Sequence, residues 1–366
     1  MANIMDYIDW RGDLSFEAAP FCEVDNLILS ILSYFDYAGI IPPSYQDRRP
    51  LSQVADDYFR LHPWKKGALG ILFPDQTQDL LSQAGNSRRF GALDVWGYVN
   101  QIDCQQGMQF SATAFSSSSF TYVAFRGTDD TIVGWKEDFY MTVRFPIPAQ
   151  EAASHYLCAM ADKTSGRLFL GGHSKGGNLA IYAAAHCTPA IQSRIERIWS
   201  NDGPGFFPDF LTSESYLAIR DRVCQVLPRS SVVGVVLDSD SMLIPVESSA
   251  LGLLQHDGLS WQVLGDRFVR ADGLSKSSQQ ADRTLHNLVQ AMAPEQREQF
   301  VSALFGACDE LDVQTLTELV SEKNKLQRLR TLYGRLSRFD KETKEAFFRA
   351  LLATFRQDEG LLSKLQ

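Results

Sequence analysis

From Val24 to Phe35 the apolar residues Val24, Leu27, Ile28, Ile31, Leu32 and Phe35 recur at helical spacing over a broad face, which predicts a well-buried helix. Pro42-Pro43 punctuates the chain after it, and weaker helical patterns follow over 53–61 and 75–83. From Val95 the pattern changes. Trp96–Val99, Met108–Phe115 and Phe120–Phe125 are short apolar or alternating runs and predict strands, the last two joined by the polar turn Ser116–Ser119.

The chain then alternates. Helices are expected over 133–142, 149–162, 175–185 and around 213–220, with strands at 167–170, 197–200 and 223–227 between or after them. Closing strands are expected at 241–246 and 261–269. Strands separated by helices in this way predict βαβ units, hence an α/β fold with a largely parallel sheet covered on both faces. Beyond Asp272 the strand pattern stops. The segments 276–292, 294–307, 313–336 and 341–355 all read as amphipathic helices, the last with Asp340 as its N-cap and Phe347, Leu351 and Phe355 on one stripe. The expected division is therefore a body of residues 1–275, opening with a helical segment, and a helical C-terminal extension of residues 276–366.

At 366 residues, with 45% hydrophobic and 22% charged, the chain can bury a sizeable core and is not a low-complexity polymer. No apolar run is long enough for a membrane span. The start, with Asp6, Asp9 and Asp13, lacks the basic-then-apolar layout of a secretory signal, so a cytoplasmic location is expected. The net charge of −9 argues against nucleic acid as a partner. That charge is uneven: 14 basic and 13 acidic residues follow position 275, so the body carries all of the deficit at −10. The six cysteines, Cys22, Cys104, Cys158, Cys187, Cys224 and Cys308, are scattered and read as reduced core residues, neither a disulfide framework nor a zinc site.

The candidate chemistry lies between the strand at 168–170 and the helix that follows. Gly172-His173-Ser174-Lys175-Gly176 is a GxSxG, the pattern that sets a nucleophilic serine on a sharp strand-to-helix turn. Glycines two before and two after the serine remove side chains that would collide with the adjoining strand and helix. The helix opens with small residues (Asn178, Ala180, Ala183, Ala184, Ala185) that can pack closely. An acyl-transfer site also needs two N–H donors for the developing oxyanion. One would come from Lys175, after the serine. The other would come from Thr128, in Phe125-Arg126-Gly127-Thr128 at the end of an earlier strand.

Ala124–Thr128, Gly134-Trp135, Asp138 and Gly172–Ala180 together resemble the signature segments of class 3 (fungal-type) lipases. The resemblance is closer to a bacterial branch of lipase-like α/β-hydrolases, through Asp6-Tyr7, Trp10–Asp13, Asp202–Phe206 and Gln255-His256-Asp257. It implies an α/β-hydrolase fold, Ser174 as nucleophile, and the Thr128 and Lys175 amides as oxyanion hole. It implies no substrate.

A serine nucleophile needs a histidine base oriented by a carboxylate. Of the six histidines, His155 and His186 lie in expected helices, His173 is inside the elbow, His62 precedes the sheet and His286 follows the body. Only His256 fits the chain order serine, acid, histidine. The acid is open. Where class 3 lipases carry their aspartate, this chain has Ser230-Ser231 in Leu227–Gly234, a departure that puts the usual triad in doubt. Asp202, one strand earlier, is the first candidate, although Asp-Gly-Pro-Gly is also a turn signal in its own right. Asp238 and Asp240 are the alternatives, and a dyad without an acid is a third.

No P-loop, GxGxxG or HExxH spacing is present, so neither cofactor nor metal is expected. The basic residues Lys323, Lys325, Arg328, Arg330, Arg335 and Arg338, interleaved with leucines, read as the solvated face of a helix. Two function classes follow. One is a lipase- or esterase-like serine hydrolase acting on a small-molecule ester or acyl substrate. The other is a hydrolase fold used for binding, its cleft covered by the helical extension. Lipid-surface contact and oligomeric state stay open.

Overall fold

The computed structural model describes residues 1–67, 69, 73–280, 282–283, 293–311, 313–315, 318–319, 328, 330–331 and 334–335. Eight strands hydrogen-bond side by side in chain order: β1 (Arg49–Pro50), β2 (Asp94–Asp103), β3 (Met108–Ser116), β4 (Phe120–Phe125), β5 (Arg167–His173), β6 (Ile195–Asn201), β7 (Val223–Pro228) and β8 (Met242–Val246). β1 to β4 pair antiparallel, and β4 to β8 run parallel. The parallel half is the expected βαβ region, and the hairpins around β2 and β3 are the region with no helix between strands.

Both faces of the sheet are covered, which is why β4 is buried along its whole length. Its alternate residues divide between two cores. Tyr122 and Ala124 pack with the N-terminal helices α1 (Ile4–Arg11), α2 (Glu23–Leu32), α3 (Leu51–Leu61) and α4 (Thr77–Asn86). The short α5 (Arg88–Gly91) follows α4 and carries Arg89. Val123 and Phe125 pack on the opposite face with α7 (Pro148–Ala161) and α8 (Lys175–His186). Between β4 and α7 lies α6 (Ile132–Tyr140), N-capped by Thr131.

α2 is buried from Val24 to Leu32, polar residues included. Its polar side chains are therefore all partnered. Asp25 takes a bidentate pair from Arg89 at 2.7 and 2.6 Å and the Tyr7 hydroxyl at 2.9 Å. Asn26 meets Asn201 of β6 and Tyr122 of β4. The helix is tied into the sheet through these groups.

Three expectations are corrected. The helix around 213–220 is instead three short turns, Pro208–Leu211, Glu214–Leu217 and Arg220–Arg222, because the Ser213 hydroxyl caps a new start by accepting from Tyr216 N. The closing strand at 261–269 is a separate hairpin, β9 (Val263–Leu264) with β10 (Arg267–Phe268), turned at Gly265 and outside the eight-stranded sheet. β5 also runs three residues further than its apolar pattern, since Gly171 and Gly172 continue the strand without adding hydrophobic signal.

After 275 the described chain includes the helix Pro294–Glu310, which packs on α6 with Phe305 against Phe139. Ile132 N donates to Gln314 O, and Thr131 bridges Thr315 beside it. The expected helix over 341–355, with Asp340, lies outside the described residues, as do His286, Lys323, Lys325, Arg338 and most of the segments 276–292 and 313–336. None of the six cysteines forms a disulfide, and Cys104 alone among them is exposed. Among the described residues, no helix is long and apolar enough to cross a membrane.

Candidate active site

The parallel strands end together, and the candidate residues sit where they end. Ser174 follows His173, the last residue of β5, and precedes α8. Its backbone is at φ 57° and ψ −135°, a conformation that side-chain-bearing residues rarely adopt. Such a turn closes only if the residues two before and two and three after the serine carry no side chains. A Cβ on Gly176 would lie 2.8 Å from the Phe125 carbonyl carbon and closer still to its oxygen. One on Gly177 would lie 2.8 Å from Ser200 Cα, and one on Gly172 would run into Gly176 and Phe125. The motif glycines therefore let α8 approach β4 and β6, and Ser174 is left partly exposed.

Asp202 follows β6 and has a positive φ of 50°. Its fully buried carboxylate has Oδ2 2.6 Å from His256 Nδ1, while Oδ1 accepts from the Ser231 hydroxyl and, at 3.2 Å, from Gly234 N. A carboxylate oxygen accepts, so in this contact His256 Nδ1 is the donor and Nε2 is the nitrogen left for other partners. Asp240 is engaged elsewhere, accepting from the Tyr216 hydroxyl at 2.6 Å, and Asp238 pairs through its backbone with Phe206. The structure thus brings Asp202, His256 and the elbow together.

His256 lies in a 3-10 turn, Gly252–His256, held by Gln255, whose Oε1 accepts from Ser230 N at 2.7 Å and whose Nε2 donates to Ala250 O at 3.0 Å. His173 holds it as well. Its Nε2 donates to the His256 carbonyl at 2.7 Å, with the two rings 4.5 Å apart. Because that acceptor is a carbonyl, Nδ1 is the unprotonated nitrogen and accepts from the Tyr34 hydroxyl at 3.2 Å. Burial lowers the His173 pKa to about 3, so the ring stays neutral.

On the other side of Ser174, Gly127 is packed so tightly that a Cβ there would lie 3.0 Å from Ser174 Cβ. Thr128, next in the chain, is therefore beside the serine. Its Oγ1 donates to Asp138 Oδ2 at 2.5 Å. Burial raises the Asp138 carboxyl to about 6, against the opposing pull of Lys175 and of the Thr128 hydrogen bond. Lys175 is the first residue of α8, and amides in the first turn of a helix have no carbonyl partner within it. Its side chain is buried, with Nζ on Glu137 Oε2 at 2.8 Å and Gln109 Oε1 at 2.7 Å.

Four members of this arrangement escaped the sequence reading: Ser231, His173, Tyr34 and Glu137. Ser231 had the clearest signal, because it stands where class 3 lipases carry the aspartate, and here it supports the carboxylate supplied by the neighbouring strand. Among the described residues, no group of His, Cys, Asp and Glu could hold a metal ion.

The sequence profile of the Mbeg1-like family matches residues 84–306, well over half of the chain. The chain belongs to the Mbeg1-like family. The match takes in the elbow, Asp202 and His256, and runs through 275 into the helix Pro294–Glu310. No curated protein matches the sequence. Among solved structures, the Rhizomucor miehei lipase propeptide complex (a deletion mutant) is similar at 12% identity, covering 68% of this chain and 81% of that one with a TM-score of 0.38. Lip2 lipase from Yarrowia lipolytica is similar at 12% identity, covering 60% and 81% with a TM-score of 0.32. The α/β-hydrolase assignment of this Mbeg1-like chain rests on its own sheet order and strand–elbow–helix turn.

Proposed function

We propose that the protein is an intracellular serine hydrolase, lipase- or esterase-like, that cleaves an ester or related acyl bond through an acyl-enzyme on Ser174. The observation that carries this is the 2.6 Å contact of His256 Nδ1 with buried Asp202, joined to the elbow of the strained GxSxG serine through His173, whose Nε2 lies 2.7 Å from the His256 carbonyl. His256 Nε2 takes the Ser174 proton as Oγ attacks the acyl carbonyl. The Thr128 and Lys175 amides donate to the resulting oxyanion. As the tetrahedral species collapses, His256 passes the proton to the leaving alcohol, and water then releases the acid by the reverse sequence. The body's charge of −10 disfavours an anionic membrane surface, so the substrate is a soluble or neutral acyl compound.

A second reading, an inactive hydrolase fold used for binding, draws support from the helix Pro294–Glu310 seated on α6, the helix after the oxyanion loop. Labelling with a fluorophosphonate separates the two. Wild-type protein should label, and Ser174→Ala should not. Folded wild-type protein that fails to label would support the binding reading.

A further inference from the structure

The Lys175 side chain is buried, and its three ammonium hydrogens meet three acceptors, Glu137 Oε2 at 2.8 Å, Gln109 Oε1 at 2.7 Å and Gln109 O at 3.0 Å, with Asp138 Oδ1 further off at 3.9 Å. The Glu137 carboxylate is equally occupied. Oε2 also accepts from Gln109 N at 3.1 Å, and Oε1 from Ala149 N at 3.0 Å. Both side chains are at most 1% exposed. One ion pair therefore joins four elements: β3 through Gln109, α6 through Glu137, α7 through Ala149 and α8 through Lys175.

Stability alone is a poor reason for such a pair. Desolvating two charges costs about as much as their attraction returns, and a well-packed apolar pair often does as well. What the pair has that an apolar one lacks is direction. Glu137 and Asp138 are adjacent on α6, and each holds one of the two residues whose amides would meet the oxyanion. Glu137 holds Lys175, and Asp138 holds Thr128 through Oγ1 at 2.5 Å. Gly134, on the same helix, lets α6 sit against both, since a Cβ there would lie 3.0 Å from Thr128 Cγ2 and 3.1 Å from Gln109 Oε1. α6 thus spans the two halves of the hole and is bonded to each.

We infer that Glu137 is a positioning residue for the oxyanion hole, setting the Lys175 amide against Thr128 through the buried Lys175 ammonium. The inference rests on the hydrolase reading of Ser174. An oxyanion donor contributes to the tetrahedral state more than to the bound ester, so misplacing it lowers kcat and leaves KM little changed.

The test uses the full chain and p-nitrophenyl butyrate, with rates normalised to the sites that label with fluorophosphonate. Phenylboronic acid, which forms a tetrahedral adduct on a nucleophilic serine, reports on the hole directly. In Glu137→Gln we expect kcat to fall about 10–100-fold, KM to stay within about twofold, and the boronate Ki to rise in step with the loss of kcat. Because a lone buried Lys175 could prevent folding, the double variant Glu137→Leu/Lys175→Met, which buries no charge, is measured alongside and should show the same pattern. A folded variant with wild-type kcat and boronate Ki, whatever its melting temperature, would overturn the inference and leave the hydrolase reading intact. Wild-type protein with neither labelling nor turnover would overturn both.

Discussion

Two aspartates carry the residue-scale argument, and they differ in their partners. Asp202 is buried but fully satisfied, with donors from His256, Ser231 and Gly234. Its proposed task is to hold one tautomer of His256. Asp202→Asn would leave an amide that can favour the other tautomer, so kcat should fall by about 10⁴-fold with little change in fold, as steady-state kinetics and circular dichroism would record. A near-normal rate would move the acid role elsewhere. Asp138 is raised by burial from an ordinary 3.8 to about 6. The folded protein then holds this proton more tightly than the unfolded chain. Its contribution to stability is present in full below about pH 4 and is lost as pH rises to about 6. Asp138→Asn should flatten that decline, a difference on the order of 2 kcal/mol between pH 4 and pH 7 in urea titrations of the two proteins.

At the scale of elements, the decisive joint is β5–Ser174–α8. Small residues there serve proximity. The Gly176 position faces the Phe125 and Arg126 backbone of β4 and the loop after it, at 2.8 and 3.0 Å for an added Cβ. Backbone atoms cannot rotate away as a side-chain tip can. Gly176→Ala should therefore move α8 off the sheet, with a cost of about 2–4 kcal/mol in urea unfolding and loss of fluorophosphonate labelling in whatever remains folded. Unchanged stability and labelling would mean that the elbow tolerates a wider turn than its packing indicates. The same joint explains why β5 outran its apolar pattern: Gly171 and Gly172 are strand residues chosen for the approach of Tyr122, Asn26 and Phe125, and they contribute no hydrophobic signal.

For the whole molecule, the question is how the chain after residue 275 relates to the sheet and its helices. The helix Pro294–Glu310 buries Phe300, Val301, Leu304 and Phe305, and Phe305 meets Phe139 of α6. Gln314 accepts from Ile132 N at the start of the same helix. α6 is also the helix whose Glu137 and Asp138 hold Lys175 and Thr128. Removing residues 294–366 should then lower the melting temperature by several degrees and slow fluorophosphonate labelling, because α6 loses one side of its support. Faster labelling after truncation would instead make the extension a cap over the site.

Much of this protein is written locally. The run Phe120–Phe125 reads as a strand because it is mostly apolar, and β4 has those limits, with the Thr121 and Tyr122 hydroxyls partnered by Ser116 and Asn26. The elbow was legible because its glycines, its serine and the following small residues are contiguous. Chain order likewise singles out His256, whose Nδ1 lies 2.6 Å from Asp202 Oδ2. What the sequence could not decide was which groups from distant segments share a neighbourhood. In one dimension Asp202 is the first candidate, but Asp238 and Asp240 stay open as alternatives. Only the sheet, by ending β6 beside the 3-10 turn at His256, gives the contact to Asp202 and turns Asp240 toward Tyr216. Lys175 and Glu137 are 38 positions apart and carry no mutual signal, yet they meet at 2.8 Å once α6 and α8 pack on the same face. Local pattern specifies elements because it acts between neighbours in the chain, whereas a buried polar partner is specified only when folding removes water and leaves one donor within reach of one acceptor.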